Sequence, residues 1–303
     1  MKWIELSLSV DGELAEAVSE VLSRYAPSGV AAEAVVAPDE SHQLTGMVIV
    51  RTYLPVDENL NPTKENIERG LWHLSQIRPL PEPHYRELES ADWENTWREH
   101  YHPIPIGRSL LILPPWYDVE AGSRKPLIIE PGMAFGTGTH PTTQLCLSLM
   151  ETFLRPGTTA VDLGCGSGIL SIAAVLLGAR TVLALDIDQI AVETTLANAG
   201  RNGVADAILA RQGSLEDLAG LVQETGVSRP TLLVANILAG VLTEMLQSGL
   251  AESVEPDGVL ILSGVLEEQL PGLLEQAEKQ GLATRQVRGD GDWRAVALER
   301  TRK

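Results

Sequence analysis

Cysteine, phenylalanine and basic charge are all scarce in this chain. Only two of its 303 residues are cysteines, Cys146 and Cys165, and there is no Cys-x-x-Cys pair or Cys/His cluster. That excludes a disulfide framework and a structural zinc site. Lys and Arg number 23 against 41 Asp and Glu, a formal charge of −18. The imbalance is spread out: residues 1–130 hold 11 basic and 21 acidic groups, and residues 131–303 hold 12 and 20. Such a surface repels a phosphate backbone, so direct nucleic-acid binding is not expected, while a basic protein partner is favoured. No run of 18 apolar residues occurs, and the opening MKWIELSLSVDGELAE has no apolar signal-peptide core. The expectation is a cytoplasmic protein with no membrane association.

The length suits two domains, and an apolar fraction of 44% supplies a sizeable core. In the first 90 residues, 3–10 alternates apolar and polar as a half-buried strand does. Leu14, Ala17, Val18, Val21 and Leu22 then follow helical spacing. Strands are read at 29–36 and 46–54, a helix opens at Asn61-Pro62-Thr63, and a fourth strand is read at 85–88. The order β-α-β-β-α-β predicts a ferredoxin-like α+β domain. Pro79, Pro81 and Pro83 weaken the last strand, because proline cannot donate to a ladder. A short helix is expected from Asp92, then short strands within 104–113 and 127–129 that form a lip on the second domain.

From Thr142 onward helical and apolar β-type runs alternate, which predicts a doubly wound α/β sheet with helices on both faces. The β-runs fall at 158–163, 181–185, 206–211, 231–235 and 258–263. A closing pair at 283–287 and 293–298 reads as an antiparallel hairpin.

Three segments carry chemistry. The first is Val161-Asp162-Leu163-Gly164-Cys165-Gly166-Ser167-Gly168-Ile169, with Asp186 ending the next apolar run. Glycines at a strand-to-helix turn let backbone approach a ligand closely, and an acid one strand later can accept hydrogen bonds from vicinal ribose hydroxyls. The third glycine stands one place too early for the dinucleotide fingerprint G-x-G-x-x-G. Asp162 either orients the turn or binds a ligand ammonium, directly or through water. Asp188 reads as a helix N-cap. Cys165 reads as a space-filler rather than a nucleophile.

The second segment, residues 131–143, packs three glycines and four threonines just ahead of a helix opened by Pro141. Backbone amides around Gly136 and Thr137 could bind a carboxylate, and Thr143 could hydrogen-bond it. Phe135, one of only two phenylalanines in the chain, is either a lid over the site or a core residue. His140 reads as structural rather than as a base. The third segment is Ala235-Asn236-Ile237-Leu238, at the carboxyl end of an apolar strand where doubly wound folds place their chemistry. The place resembles that where amino-group methyltransferases carry an Asn or Asp followed by two prolines and an aromatic, although here only the Asn and an apolar pair remain. The resemblance implies that the Asn236 side-chain carbonyl and the Ile237 backbone carbonyl hold the N–H groups of an attacking amine; alternatively, Asn236 caps the helix that follows.

Taken together, AFGTGTHPTT, VDLGCGSGILSIAA, LALDID, VANILAG and LILSGVLEEQ resemble the bacterial methyltransferases of large-subunit ribosomal protein eleven. The likeness covers nearly the whole chain. It implies a class I, Rossmann-like methyltransferase domain at 104–303, a linker at 91–103, and an N-terminal substrate-recognition domain at 1–90. It implies S-adenosyl-L-methionine as cofactor and methylation of α- and lysine ε-amino groups of that ribosomal protein by a monomeric enzyme. The family's cofactor positions fall on Thr143, Gly164, Asp186 and Asn236. An amine methyltransferase for another protein or small molecule is the alternative. Residues 218–229 read as an insertion forming a surface loop or helix.

Overall fold

The computed structural model describes residues 3–23, 25, 30–36, 44–57, 59–76, 78–88, 103–117, 122–129 and 138–301. The chain divides into two compact units, Met1–Tyr101 and His102–Lys303. The expected linker at 91–103 lies outside the described residues except for Pro103.

The first unit runs β1 (Trp3–Asp11), α1 (Gly12–Ser23), β2 (Val30–Val36), β3 (Leu44–Pro55), α2 (Leu60–Ser75) and β4 (His84–Leu88). Its sheet has the order β2-β3-β1-β4 and is antiparallel throughout, which is the ferredoxin-like arrangement. Leu6, Leu8 and Val10 alternate along β1 onto one face, against Val18 and Leu22 of α1 and Ile67 and Leu71 of α2. Asp11 starts α1 by accepting from Leu14 N at 3.0 Å. The three prolines before β4 stay outside it, so the ladder keeps its donors.

The second unit opens with β5 (Ile104–Ile106), β6 (Leu110–Leu113) and β7 (Lys125–Ile128). β5 and β6 pair antiparallel, and β6 pairs parallel with β7. The chain breaks at Gly107 because Arg108 N and Ser109 N both donate to the Glu151 carboxylate, which takes them out of any ladder. This sheet is less a lip than expected: Leu110, Ile112, Leu127 and Ile129 are fully buried and belong to the main core.

Next come α3 (Pro141–Phe153), β8 (Thr159–Leu163), α4 (Ile169–Leu177), β9 (Thr181–Asp186), α5 (Gln189–Arg201), β10 (Ile208–Gln212), α6 (Leu215–Thr225), β11 (Leu232–Asn236), α7 (Ala239–Gln247), β12 (Val259–Leu266), α8 (Leu270–Lys279), β13 (Leu282–Asp290) and β14 (Trp293–Arg300). The seven strands are ordered β10-β9-β8-β11-β12-β14-β13. The first five are parallel; β14 runs antiparallel to β12, and β13 antiparallel to β14. β13 forms one edge, with its pairing shifted between Thr284 and Gln286.

Successive strand residues feed two separate cores. Leu232 and Val234 face the α3–α5 side, and Leu233 and Ala235 the α6–α8 side. Burying one such Leu or Val stabilises the fold by roughly 1.5–3 kcal/mol. Residues 218–229 are not a mere surface insertion. Leu218 and Leu221 sit on the buried face of α6, 2% and 4% exposed, within the second core. The chain leaves β8 for β9 and β10 on one side and returns to β11 and β12 on the other. The carboxyl ends of β8 and β11 therefore flank the switch point where such sheets bind ligands.

Candidate functional site

The turn after β8 holds Gly164, Gly166 and Gly168 at φ 74°, 52° and 80°. Gly164 N and Cys165 N both donate to Leu185 O, at 2.8 and 3.1 Å, which ties the turn to the end of β9. A methyl group on Gly164 would come within 2.8 Å of Ile237 Cγ2, so glycine is required there by space as well as by φ. From behind, Thr195 Oγ1 donates to Gly166 O at 3.1 Å and Asn198 Nδ2 to Ser167 O at 2.8 Å. These two supporting residues were missed in the sequence. Their signal was present: two polar side chains, three residues apart, on the buried face of α5.

Asp186 closes the turn. Its carboxylate accepts from Gly166 N at 2.9 Å and from Asp188 N at 3.0 Å, which fixes both oxygens. Asp188 is the N-cap of α5 and accepts from Ile190 N, as its position suggested. Ile187, between the two acids, is 77% exposed and offers an apolar surface beside Asp186.

Asp162 is buried in β8 between Ala184 of β9 and Val234 of β11. One of its oxygens accepts from Ser171 Oγ at 2.6 Å, and the other, Oδ1, has no hydrogen-bond partner among the described residues. Burial pushes its carboxyl up to about 7; the Ser171 hydrogen bonds oppose this and the Asp186 charge adds to it. Burial likewise raises the thiols of Cys146 and Cys165 to about 12, which suits space-fillers and not nucleophiles.

Asn236 ends β11. Its Nδ2 donates to Thr143 Oγ1 at 3.3 Å, joining residues 93 positions apart. Thr143 is buried in the first turn of α3. Asn236 does not cap α7, whose N-cap is Leu238 with no side-chain cap bond. The amide nitrogen is engaged with Thr143, so the side-chain oxygen is left as the acceptor. Ile237 N donates to Ser263 O at 3.1 Å.

His140 is the N-cap of α3, with Nδ1 2.7 Å from Thr142 Oγ1 and its ring edge-on to Trp293 at 5.0 Å. Burial lowers its pKa from the ordinary histidine value. Both features give it a structural place.

The structure thus gathers Thr143, Asp162, Gly164, Gly166, Asp186, Asn236 and Ile237 at the carboxyl edge of β8, β9 and β11. Phe135, Gly136 and Thr137 lie outside the described residues. The donor set fits a ligand that joins a cationic group to a sugar diol. A buried carboxylate has one oxygen to spare, a second carboxylate is held rigid, and the turn between them carries no side chain at Gly164. No cluster of potential metal ligands occurs among the described residues, and none of their helices is long and apolar enough to cross a membrane.

A family model described as ribosomal protein L11 methyltransferase (PrmA) matches residues 2–301. The ribosomal protein L11 methyltransferase of Herpetosiphon aurantiacus is 40% identical over 313 aligned residues, covering 97% of this chain and 97% of the relative. That of Chloroflexus aurantiacus is 38% identical over 322, covering 98% of each. Among solved structures, the ribosomal protein L11 methylase of Lactobacillus delbrueckii subsp. bulgaricus superposes with a TM-score of 0.59 at 33% identity, covering 67% of this chain and 100% of that one.

Proposed function

The chain belongs to the ribosomal protein L11 methyltransferase family, and from that premise we propose that it transfers methyl groups from S-adenosylmethionine to the α-amino and lysine ε-amino groups of ribosomal protein L11. The observation that carries this reading is the Thr143–Asn236 hydrogen bond, which sets an amide acceptor beside the glycine turn. Gly164, Gly166, Asp186 and Asp162 would hold the cofactor, with Asp162 Oδ1 available to its ammonium. When bound, that cofactor supplies a methyl group on a positively charged sulfur, so the leaving group departs neutral.

The chain's own residues then have one main task. The Asn236 side-chain oxygen and the Ile237 carbonyl accept the N–H groups of the incoming amine and aim its lone pair. Neither is a base, so they orient an amine that is already neutral, and proximity and orientation supply most of the rate. A lysine amine has an ordinary pKa of about 10.4, so turnover should rise with pH through the neutral range. The first unit serves as the recognition domain for the ribosomal protein, and the acidic surface favours a basic partner through a salt-sensitive attraction. The enzyme acts as a cytoplasmic monomer and makes no direct nucleic-acid contact.

The test is mass spectrometry of purified ribosomal protein L11 incubated with the full chain and S-adenosylmethionine. Peptides bearing one or more added methyl groups at lysines or the N-terminus are expected. No added mass on that protein, with methyl transfer to another protein or amine in the same assay, would move the substrate elsewhere.

A further inference from the structure

Gly264 lies in the LILSGVLEEQ segment and had no role of its own in the sequence reading, yet a side chain there would meet the acceptor loop. It lies in β12 at φ 84°, where pairing with β14 shifts between Ser263 and Val265. Bulges of this kind bend a strand and redirect what lies beside it. A methyl group on Gly264 would overlap the Ile237 carbonyl oxygen and come within 2.8 Å of the carbonyl carbon and 3.2 Å of Ile237 N. One residue earlier, Ser263 O accepts from Ile237 N at 3.1 Å. The Ser263 hydroxyl is buried and donates within reach of both Thr142 O and Arg294 O, at 3.3 and 3.2 Å. The bulge is therefore anchored to α3 and to β14. On the other side of Ile237, its Cγ2 stands where a Gly164 side chain would be.

We infer that Gly264 is a positioning residue for methyl transfer: its bulge fixes the direction of the Ile237 carbonyl and so the approach of the acceptor amine. This rests on the proposed role of the Ile237 carbonyl as an acceptor. The peptide is held by its N–H on Ser263, by backbone contact at Gly264, and by its side chain against the cofactor turn. A side chain at Gly264 would push the carbonyl aside while leaving Asp162, Asp186 and the turn in place.

The experiment compares Gly264→Ala with Gly203→Ala in the full-length enzyme. Gly203 also has positive φ, at 66°, but nothing lies within 4 Å of an added methyl group, so it reports backbone strain alone. Misplacement of about 1 Å at a reacting centre costs on the order of a hundredfold in rate. Gly264→Ala is accordingly expected to lose kcat by that order, with unchanged KM for the protein substrate and unchanged calorimetric affinity for S-adenosylhomocysteine. Gly203→Ala keeps its kcat. Equal kcat in the two variants would overturn the inference, as would a loss of cofactor affinity that accounts for the whole defect. Should Gly264→Ala fail to fold, hydrogen exchange on the wild-type enzyme decides. The Ile237 amide is expected to be protected as strongly as the amides of β11, and fast exchange there would refute the clamp. If the wild type itself leaves the ribosomal protein unmodified, the proposed function fails, while the exchange measurement still tests the clamp.

Discussion

Two strand-to-helix turns stand side by side in the second unit, after β8 and after β11, on strands paired in parallel from Ala160–Leu232 to Leu163–Ala235. The first carries its own glycines and leads into a helix whose first six residues are all buried. The second has no glycine between Asn236 and Ala239, leaves Leu238 68% exposed, and relies on Gly264 of the neighbouring strand. The same place in the fold has thus been built in two ways. On the proposed reading, a turn that receives one fixed ligand can place glycines at Gly164, Gly166 and Gly168 and be locked by Leu185, Thr195 and Asn198. A turn proposed to admit changing amines keeps functional groups and an open face, and takes its rigidity from outside.

The largest effect that would sharpen this contrast concerns Asp162. Its carboxyl stands near 7 in the folded protein against an ordinary value near 4, so the native state holds a proton that the unfolded chain releases. Stability from this group is full at acid pH and falls as pH rises from about 4 to about 7, by roughly 4 kcal/mol at 1.36 kcal/mol per pH unit. Asp162→Asn keeps an acceptor for Ser171 and removes the titration. Urea midpoints should show the variant gaining on the wild type across that window, and a constant difference would place Asp162 in a polar setting that the fold does not show.

A smaller but more local effect tests the acceptor turn. Asn236→Ala should lower kcat by about a hundredfold through lost orientation, with a lesser change in cofactor affinity. Calorimetry showing that affinity accounts for all of the defect would assign Asn236 to the cofactor side alone. The smallest effect is expected on the cofactor turn. Asp186→Ala should weaken cofactor binding by at least about tenfold, since each charge-assisted bond contributes roughly 1.5–3 kcal/mol. Its kcat at saturating cofactor should stay near normal. Intact binding in a folded Asp186→Ala enzyme would erase the distinction between the two turns.

What could be read from the sequence was whatever is local. The glycine turn, the N-cap Asp188 and the alternating strands are written in neighbouring residues, and the closing hairpin was visible in the paired runs at 283–287 and 293–298. Contacts between distant residues were not legible. Nothing near Gly264 announces that Ile237, in another strand's loop, leans on it. The Thr143–Asn236 bond spans 93 positions, and its two ends looked like separate motifs. Residues 218–229 were read by comparison of length, which says nothing of burial, and Leu218 and Leu221 proved to be core. The stretch 104–113 shows Gly107, Arg108 and Ser109 at its middle, but the group that anchors them, Glu151, stands 42 positions from Ser109 and was not legible.

The shifted pairing in β13 has a consequence for life at high concentration. Both rims of the seven-stranded sheet expose backbone that another copy of the chain could extend. On β13 the ladder is interrupted between Thr284 and Gln286, with Arg285 drawn to Glu299 at 3.3 Å and Arg288 on the same strand. On β10 the rim carries Arg211, paired with Glu224 at 2.6 Å. A charged, kinked rim on β13 and a charged rim on β10 both discourage strand-on-strand stacking into fibres.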